Sequence, residues 1–400
     1  MISAHPDIAC LVARIEPDIV TWRRHLHAQS ELSFKEFETS RFVAARLRSF
    51  GGIEVSHVSE TGVMGRLRGT STGPTVALRA DIDALPVQEE NTFDFVSRAD
   101  GVMHACGHDG HTAVLLGVAR ILADMRDEIP GEIRFLFQHA EELPPGGARD
   151  FIAAGVMDGV DYVIGCHLLS TIESGQAAVT VGPAMAAADM FSLTIRGKGG
   201  HGGFPHETTD PIAITSQVIT NLQHIVARQT DPLQSVVVST TRIAGGTADN
   251  IIPGSVDLGG TVRTFSATTR ASTRAALERV IEGVTGAHGA TATFDYRVGY
   301  DAVVNDAGVA AVVADAIRAE LGTDGLADVP PIMGGDDFSA YLQHTPGAYF
   351  FVGTRSETAG STFQHHHARF TLDEGSLRTA VGVFLRSVAT LLHRAPLEGG

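Results

Sequence analysis

Cysteine, tryptophan and tyrosine are scarce in this chain, and its cations are outnumbered. Three cysteines in 400 residues (Cys10, Cys106 and Cys166) are too few, and odd in number, for a disulfide framework, so a reducing cytoplasm is the expected setting. Thirty Lys and Arg stand against 46 Asp and Glu, and the formal charge of −16 repels phosphate backbones and excludes general nucleic-acid binding. No stretch nears the roughly 18 uninterrupted apolar residues of a membrane span. Met1 to Cys10 carries no basic run leading into an apolar segment, so neither a membrane partner nor an export signal is expected. Internal repeats are absent. With 44% hydrophobic and 19% charged residues the balance is globular, and the length leaves room for two or three cores. Histidine is what abounds: 18, several beside carboxylates and a cysteine.

The pattern along the chain is α/β. Ile8, Leu11, Val12 and Ile15 recur at helical spacing, and a second helix is predicted over Glu36–Leu47. Short β-rich runs follow at Val63–Leu67, Val76–Arg79, Ile133–Gln138 and Tyr162–Cys166, the later ones separated by helices, which predicts a mainly parallel sheet with helices on both faces. Around Val181–Asp189 a run of small residues reads as a linker. Beyond it the predicted order is strand Phe191–Ile195, helix Pro211–Ala227, strands Ser235–Thr240 and Val256–Arg263, helix Ala271–Val284 and strand Thr291–Val298. That order is the one found in a ferredoxin-like α+β domain. The expected organisation is therefore one domain built from residues 1–186 and 300–400, with a small domain of residues 187–299 inserted.

The densest chemistry lies in Met103–His111. Cys106 and His108 are two apart, so an extended backbone aims both at one point, while Gly107 and Gly110 permit a tight approach. Thiolate and imidazole together suit Zn, Ni, Co or Mn. The competing readings are a buried structural cysteine with capping residues, or a Cys–His nucleophilic pair. Glu141-Glu142 follows a buried-looking strand. Adjacent carboxylates there suit a metal-activated water, one as ligand and one to take the proton, although a surface Glu pair is the commoner meaning of those letters. His167 is predicted at another strand end, where open α/β sheets bind ligands. Asp81, also after a strand, is a candidate to orient a metal-bound His or Cys. His365-His366-His367 offers one more imidazole or simply an exposed polar loop. In the inserted segment, His201 lies in a glycine-rich loop that matches no phosphate-binding pattern. Arg263 ends a strand and suits a substrate carboxylate or a surface ion pair, and Asn250 lies nearby.

These pieces occur in one order that resembles a known family. Arg23–His27, Glu31-Leu32-Ser33-Phe34 with Glu36 and Thr39, Arg79–Pro86, Met103–His111, Glu141-Glu142, His167-Leu168, Gly197–His201 with Pro205-His206, Asn250–Pro253 and Met333–Gly335 with Asp337-Phe338 carry the likeness. Together they are similar to the di-metal amidohydrolases of the aminoacylase–carboxypeptidase superfamily, in the branch of hippurate hydrolase and the indole-acetyl-amino-acid hydrolases. The likeness runs from about Arg23 to Glu374. It implies two divalent metal ions per subunit, held by Cys106, His108, Glu142, His167 and, from its place three before Arg369-Phe370, His366. It further implies Glu141 as general base and acid, Asp81 as a supporting carboxylate, His201 as an oxyanion donor reaching a partner subunit's active site, and Asn250 and Arg263 as contacts for the substrate carboxylate. A homodimer through the inserted domain is likewise implied.

Where the family commonly has proline, this chain has Ser30, His139 and Ala368. Leu169-Ser170 replaces a bulky–Pro pair, and Asp336 a common glutamate. The expected activity is hydrolysis of N-acyl amino acids of acetyl, benzoyl or indole-acetyl type. A dipeptidase or carboxypeptidase using the same centre, and a catalytically silent metal or ligand binder of the same fold, are the competing readings.

Overall fold

A computed structural model of the chain describes residues 8–394, so the first seven residues of the segment weighed above as an export signal lie outside the described residues. The chain divides into two compact units. One comprises the described residues up to Ala184, Val304–Pro330 and those from Asp337 on; the other comprises Met185–Val303 and Pro331–Asp336. The short return Pro331–Asp336, expected with the larger domain, groups instead with the smaller one because Ala186 donates its N–H to the carbonyls of Ile332 and Gly334.

The larger unit is a seven-stranded sheet in the order Ile53–His57, Val63–Arg68, Pro130–Gln138, Ser71–Asp81, Tyr162–Glu173, Gly347–Arg355 and Ala177–Ala178. The four middle strands run parallel, as expected, and the flanking pairs are antiparallel. Tyr162–Glu173 reads as a nearly continuous apolar run because both faces are covered, and Ser71–Asp81 is buried from Val76 onward. Helices Ile8–Ala28, His108–Asp124 and Gly375–Leu391 share one core with the sheet. Helix His108–Asp124 is buried almost all round. Its first turn lies so close to Tyr162–Glu173 that a Cβ on Gly110 would come within 2.6 Å of Leu168 Cδ1, so any larger residue there requires the Leu168 side chain to move.

The smaller unit is a four-stranded antiparallel sheet in the order Val236–Ala244, Ser255–Thr264, Ala187–Arg196 and Thr291–Tyr300, with helices Pro211–His224 and Ala267–Ala287 packed on it. The run read as a linker is mostly strand: Gly182–Met185 and Ala187–Arg196 are both extended, and Ala184, Ala186 and Ala187 are buried. Small side chains here permit close packing, and that context overrides alanine's weak strand preference. Among the described residues no helix is long and apolar enough to cross a membrane.

Helix Ile8–Ala28 is tied to the helix opening at His108 by a buried ion cluster. Asp109 Oδ2 accepts hydrogen bonds of 2.9 Å from both Arg23 Nε and His27 Nδ1. Burial works against the charge, yet Arg23 and His27 hold the carboxyl well below the usual carboxylate range. Arg23 also reaches Glu374 (3.0 Å) and His27 reaches Glu89 (3.1 Å), so removing Asp109 takes away the carboxylate they share but leaves each a second partner. Asp109→Ala is expected to cost about 3 kcal/mol in urea unfolding, the lower end for breaking a buried ion pair. A loss below about 1 kcal/mol would show that Glu374 and Glu89 suffice.

Candidate metal centre

The clusters singled out in the sequence converge on the carboxyl ends of the parallel strands in the larger unit, the usual ligand position of such sheets. Asp81 ends its strand. Glu141 and Glu142 follow Pro130–Gln138 after Ala140, whose φ is +51°. His167 was expected at a strand end and instead lies inside Tyr162–Glu173. Pairing with the neighbouring Ser71–Asp81 stops at Gly165 opposite Arg79, while on the other side pairing with Gly347–Arg355 continues through His167 opposite Phe351. His108 is the first residue of its helix, set there by Gly107 at φ +87°. His366, itself left-handed at φ +66°, is tied beside the cysteine by its N–H to Ala105 O, 2.8 Å.

Ligand atoms then fall into compact groups, each with all members within 4.8 Å of one another: Cys106–His108–His167, Cys106–Glu142–His366 and His108–Glu141–Glu142. Cys106 belongs to the first two. Its Sγ is 3.6 Å from His167 Nε2, while Glu142 Oε1 lies 3.5 Å from His366 Nε2 and 3.9 Å from His108 Nε2. His108 Nε2 and Glu142 Oε1 are both buried with no hydrogen-bond partner. Orphaned polar atoms of that kind cost free energy unless something fills the space between them. A soft thiol, imidazoles and a carboxylate facing one another are the donor set of a borderline divalent cation, so these residues fit such an ion.

A layer of carboxylates holds the imidazoles from behind. The carboxylate hydrogen-bonded to His108 is Asp83, not Asp81: Oδ1 is 3.1 Å from His108 Nδ1, whereas Asp81 Oδ1 stands 3.7 Å from it. Asp83 Oδ2 also accepts from the Glu142 N–H (3.0 Å) and Ser33 Oγ (2.6 Å), so one carboxylate fixes members of two ligand groups. Asp81 serves His111 instead, at 2.6 Å from Nδ1, with Arg79 on its other oxygen at 2.6 Å. His111 Nε2 in turn accepts the Leu168 N–H at 2.9 Å, next to His167. Burial pulls the His108 pKa down, but Asp81 and the hydrogen bond to Asp83 outweigh it and push it up to about 10. Burial raises the Cys106 thiol, helped by Glu142 and Glu141, and lowers His167. A thiol pushed up is the reverse of an activated nucleophile, which weighs against the Cys–His nucleophilic reading.

The remaining predicted residues belong to the smaller unit. His201 and Asn250 come together there: strand Gly200–His201 pairs with Ile251–Ile252, and Gly202 N–H donates to Asn250 O at 2.8 Å. His201 is exposed, and its Nδ1 accepts the Gly203 N–H at 2.9 Å, which leaves Nε2 as the ring's donor. Arg263 is half-buried in Ser255–Thr264, its Nε on Thr261 Oγ1 at 3.1 Å, and burial lowers its pKa.

Sequence reasoning gave no role to Asp83 or His111, and within the histidine triplet it singled out His366 over His365. Asp83 and His111 had a signal, since Asp83 is two residues past Asp81 and His111 three past His108, on the same helix face. His365 also lies against the centre. Its Nε2 accepts the Ser170 N–H at 3.2 Å and its ring lies 5.1 Å from that of His167, a contact a proline at position 170 could not donate. Burial, with His366 alongside, presses its pKa down to about 3.

A parallel sheet with such a donor set at its carboxyl ends is the arrangement of a metal-dependent hydrolase. The chain belongs to peptidase family M20/M25/M40, whose model matches residues 77–390, and it is a hydrolase acting on amide bonds. It is 56% identical over 299 residues to the N-acyl-L-amino acid amidohydrolase of Geobacillus stearothermophilus, covering 75% of this chain and 81% of that protein. It is 44% identical over 370 residues to thermostable carboxypeptidase 1 of Saccharolobus solfataricus, covering 92% and 93%. Among solved structures, the Bacillus subtilis YXEP protein, a dinuclear metal binding peptidase of the M20 family, superposes with a TM-score of 0.83 at 37% identity, over 95% of this chain and 99% of that one.

Partners behind metal ligands typically set affinity by 10–100-fold, so Asp83→Ala should weaken metal binding by about that factor in competition with a chromogenic chelator. An unchanged affinity would show that His108 needs no carboxylate behind it.

Proposed function

We propose that the chain hydrolyses N-acyl amino acids to a carboxylic acid and a free amino acid. The observation that carries this reading is the pairing of Glu141 with Glu142 beside the two donor groups that share Cys106. The Geobacillus relative, an N-acyl-L-amino acid amidohydrolase, supports the substrate class.

In this reading Cys106, His108 and His167 hold one divalent ion, and Cys106, Glu142 and His366 hold a second; Mn, Zn, Ni and Co all suit such donors. When bound, the ions supply Lewis acidity, which lowers the pKa of water from 15.7 towards about 7 and polarises an amide carbonyl. Glu141 takes the proton of the attacking water on its carboxylate and returns it to the departing amine. Its burial favours that role by excluding bulk water as a competing proton acceptor. Asp81 and Arg79 keep His111 in place against Leu168, and Asp83 keeps His108 turned. His201 donates Nε2–H to the oxyanion, and Asn250 and Arg263 receive the substrate carboxylate. We further assign residues 187–299 as a lid and dimerisation domain that presents His201 to the partner subunit's centre. The protein acts in the cytoplasm, for which the low cysteine content is the support.

The carboxypeptidase relative at 44% identity supports a second reading, peptide-bond cleavage at the same centre. A screen of acetyl-, benzoyl- and indole-acetyl-amino acids alongside small peptides, on protein reloaded with each metal, separates the two. Hydrolysis of at least one N-acyl amino acid, abolished by chelation, is expected; turnover of peptides alone would overturn the substrate class. Activity that survives chelation would restore the cysteine nucleophile. Glu141→Gln should abolish turnover while its metal content stays unchanged. His201→Ala should lose about 10²–10³ in rate, the usual toll of one oxyanion donor. Mixed with Glu141→Gln it should regain activity in verified mixed dimers, and no regain there would place His201 in its own subunit's site.

A further inference from the structure

Besides His366, two non-glycine residues hold a left-handed backbone, Phe34 at φ +65° and Ala140 at φ +51°. Such conformations cost roughly 1–3 kcal/mol each and persist only where their surroundings impose them. Here one atom imposes both. Glu36 Oε1 accepts the Phe34 N–H at 3.0 Å and the Ala140 N–H at 2.8 Å, while Oε2 accepts Thr61 Oγ1–H at 2.8 Å. Glu36 is wholly buried. Burial and the neighbouring Asp83 push its carboxyl up to about 7, against the hydrogen bonds it accepts. The Phe34 ring packs edge-on against His139, centroids 5.5 Å apart, which closes the same turn from its other side.

Ala140 immediately precedes Glu141. A change of its φ rotates everything that follows, and on the other side of Glu141 the Glu142 N–H is fixed independently by Asp83. The Glu141 side chain therefore stands between two backbone anchors, one supplied by Glu36 and one by Asp83. Resting on the reading of Glu141 as the base, we propose that Glu36 is a positioning residue: through the Ala140 N–H it holds the left-handed elbow that aims the Glu141 carboxylate, and it touches neither metal ligands nor substrate.

Four variants, Glu36→Ala, Glu36→Gln, Glu36→Ala with Ala140→Gly, and Glu141→Gln, test this on metal-loaded protein by kcat, KM, metal content and melting temperature. A misplacement of about 1 Å costs on the order of 100-fold in rate, so Glu36→Ala should lose about 100-fold in kcat, with KM within about threefold and metal content unchanged. Glu36→Gln keeps an oxygen for both N–H groups and should retain most of the rate. Ala140→Gly, which reaches positive φ without strain, should return about tenfold or more of the lost kcat in the Glu36→Ala background. If Glu36→Ala does not fold, Glu36→Asp, one methylene too short to reach Ala140, carries the same expectation. A Glu36→Ala enzyme within threefold of wild type, a rate loss matched by metal loss, or no rescue by Ala140→Gly each overturns the proposal. Wild-type activity in Glu141→Gln overturns the base assignment instead, which separates the two failures.

Discussion

The sulfur of Cys106 is the point to which the rest of the larger unit is fitted. Donors from the start of a helix, from the middle of a strand and from two loops reach it, and no two of those segments are neighbours in sequence. They meet because the parallel strands end together while the helix opening at His108 lies flat against them. Gly110 eases that approach, since a side chain there would have to displace the end of Leu168. The buried Cys106 thiol and the neighbouring His108 imidazole are both pushed up in pKa, the imidazole to about 10 by Asp81 and Asp83, as expected where the surrounding field favours a positive charge.

Packing so many carboxylates behind the centre costs desolvation, and the structure answers each with a defined partner. Asp81 has Arg79 and His111, Asp83 has His108, Ser33 and the Glu142 N–H, and Glu36 has two backbone donors and Thr61. Asp337 lies further back, accepting from Arg79 and Gln138. Each link removes a rotamer or backbone choice from a residue nearer the centre. The left-handed φ values fall at Ala140, next to Glu141, and at His366, an exposed member of one ligand group.

Much of this was legible in the sequence because parallel strands buried on both faces show as β-rich apolar runs and because metal-type residues cluster at their ends. Strand lengths were underestimated where chemistry interrupts the apolar pattern: Tyr162–Glu173 continues through His167 because Leu168, Leu169 and Ile172 stay buried. The alanine-rich run reads as a linker because small residues signal flexibility locally, yet it lies in two strands with Ala184, Ala186 and Ala187 buried. Asp81 drew the supporting role that Asp83 performs towards His108, since alternation along an extended chain makes both face the same way and only distance separates them. The reach of Glu36 to Ala140 spans 104 positions and leaves no periodic trace. The departures at His139 and Ser170 gained meaning only from their partners: His139 links Ser59 to Asp150, and the Ser170 N–H holds His365.

If one sulfur joins both ligand sets, crystals grown with Mn or Zn and measured at the metal's absorption edge will show two anomalous peaks per subunit, one within bonding distance of Cys106, His108 and His167, the other of Cys106, Glu142 and His366. A single peak, or peaks that leave Cys106 uncoordinated, would contradict it.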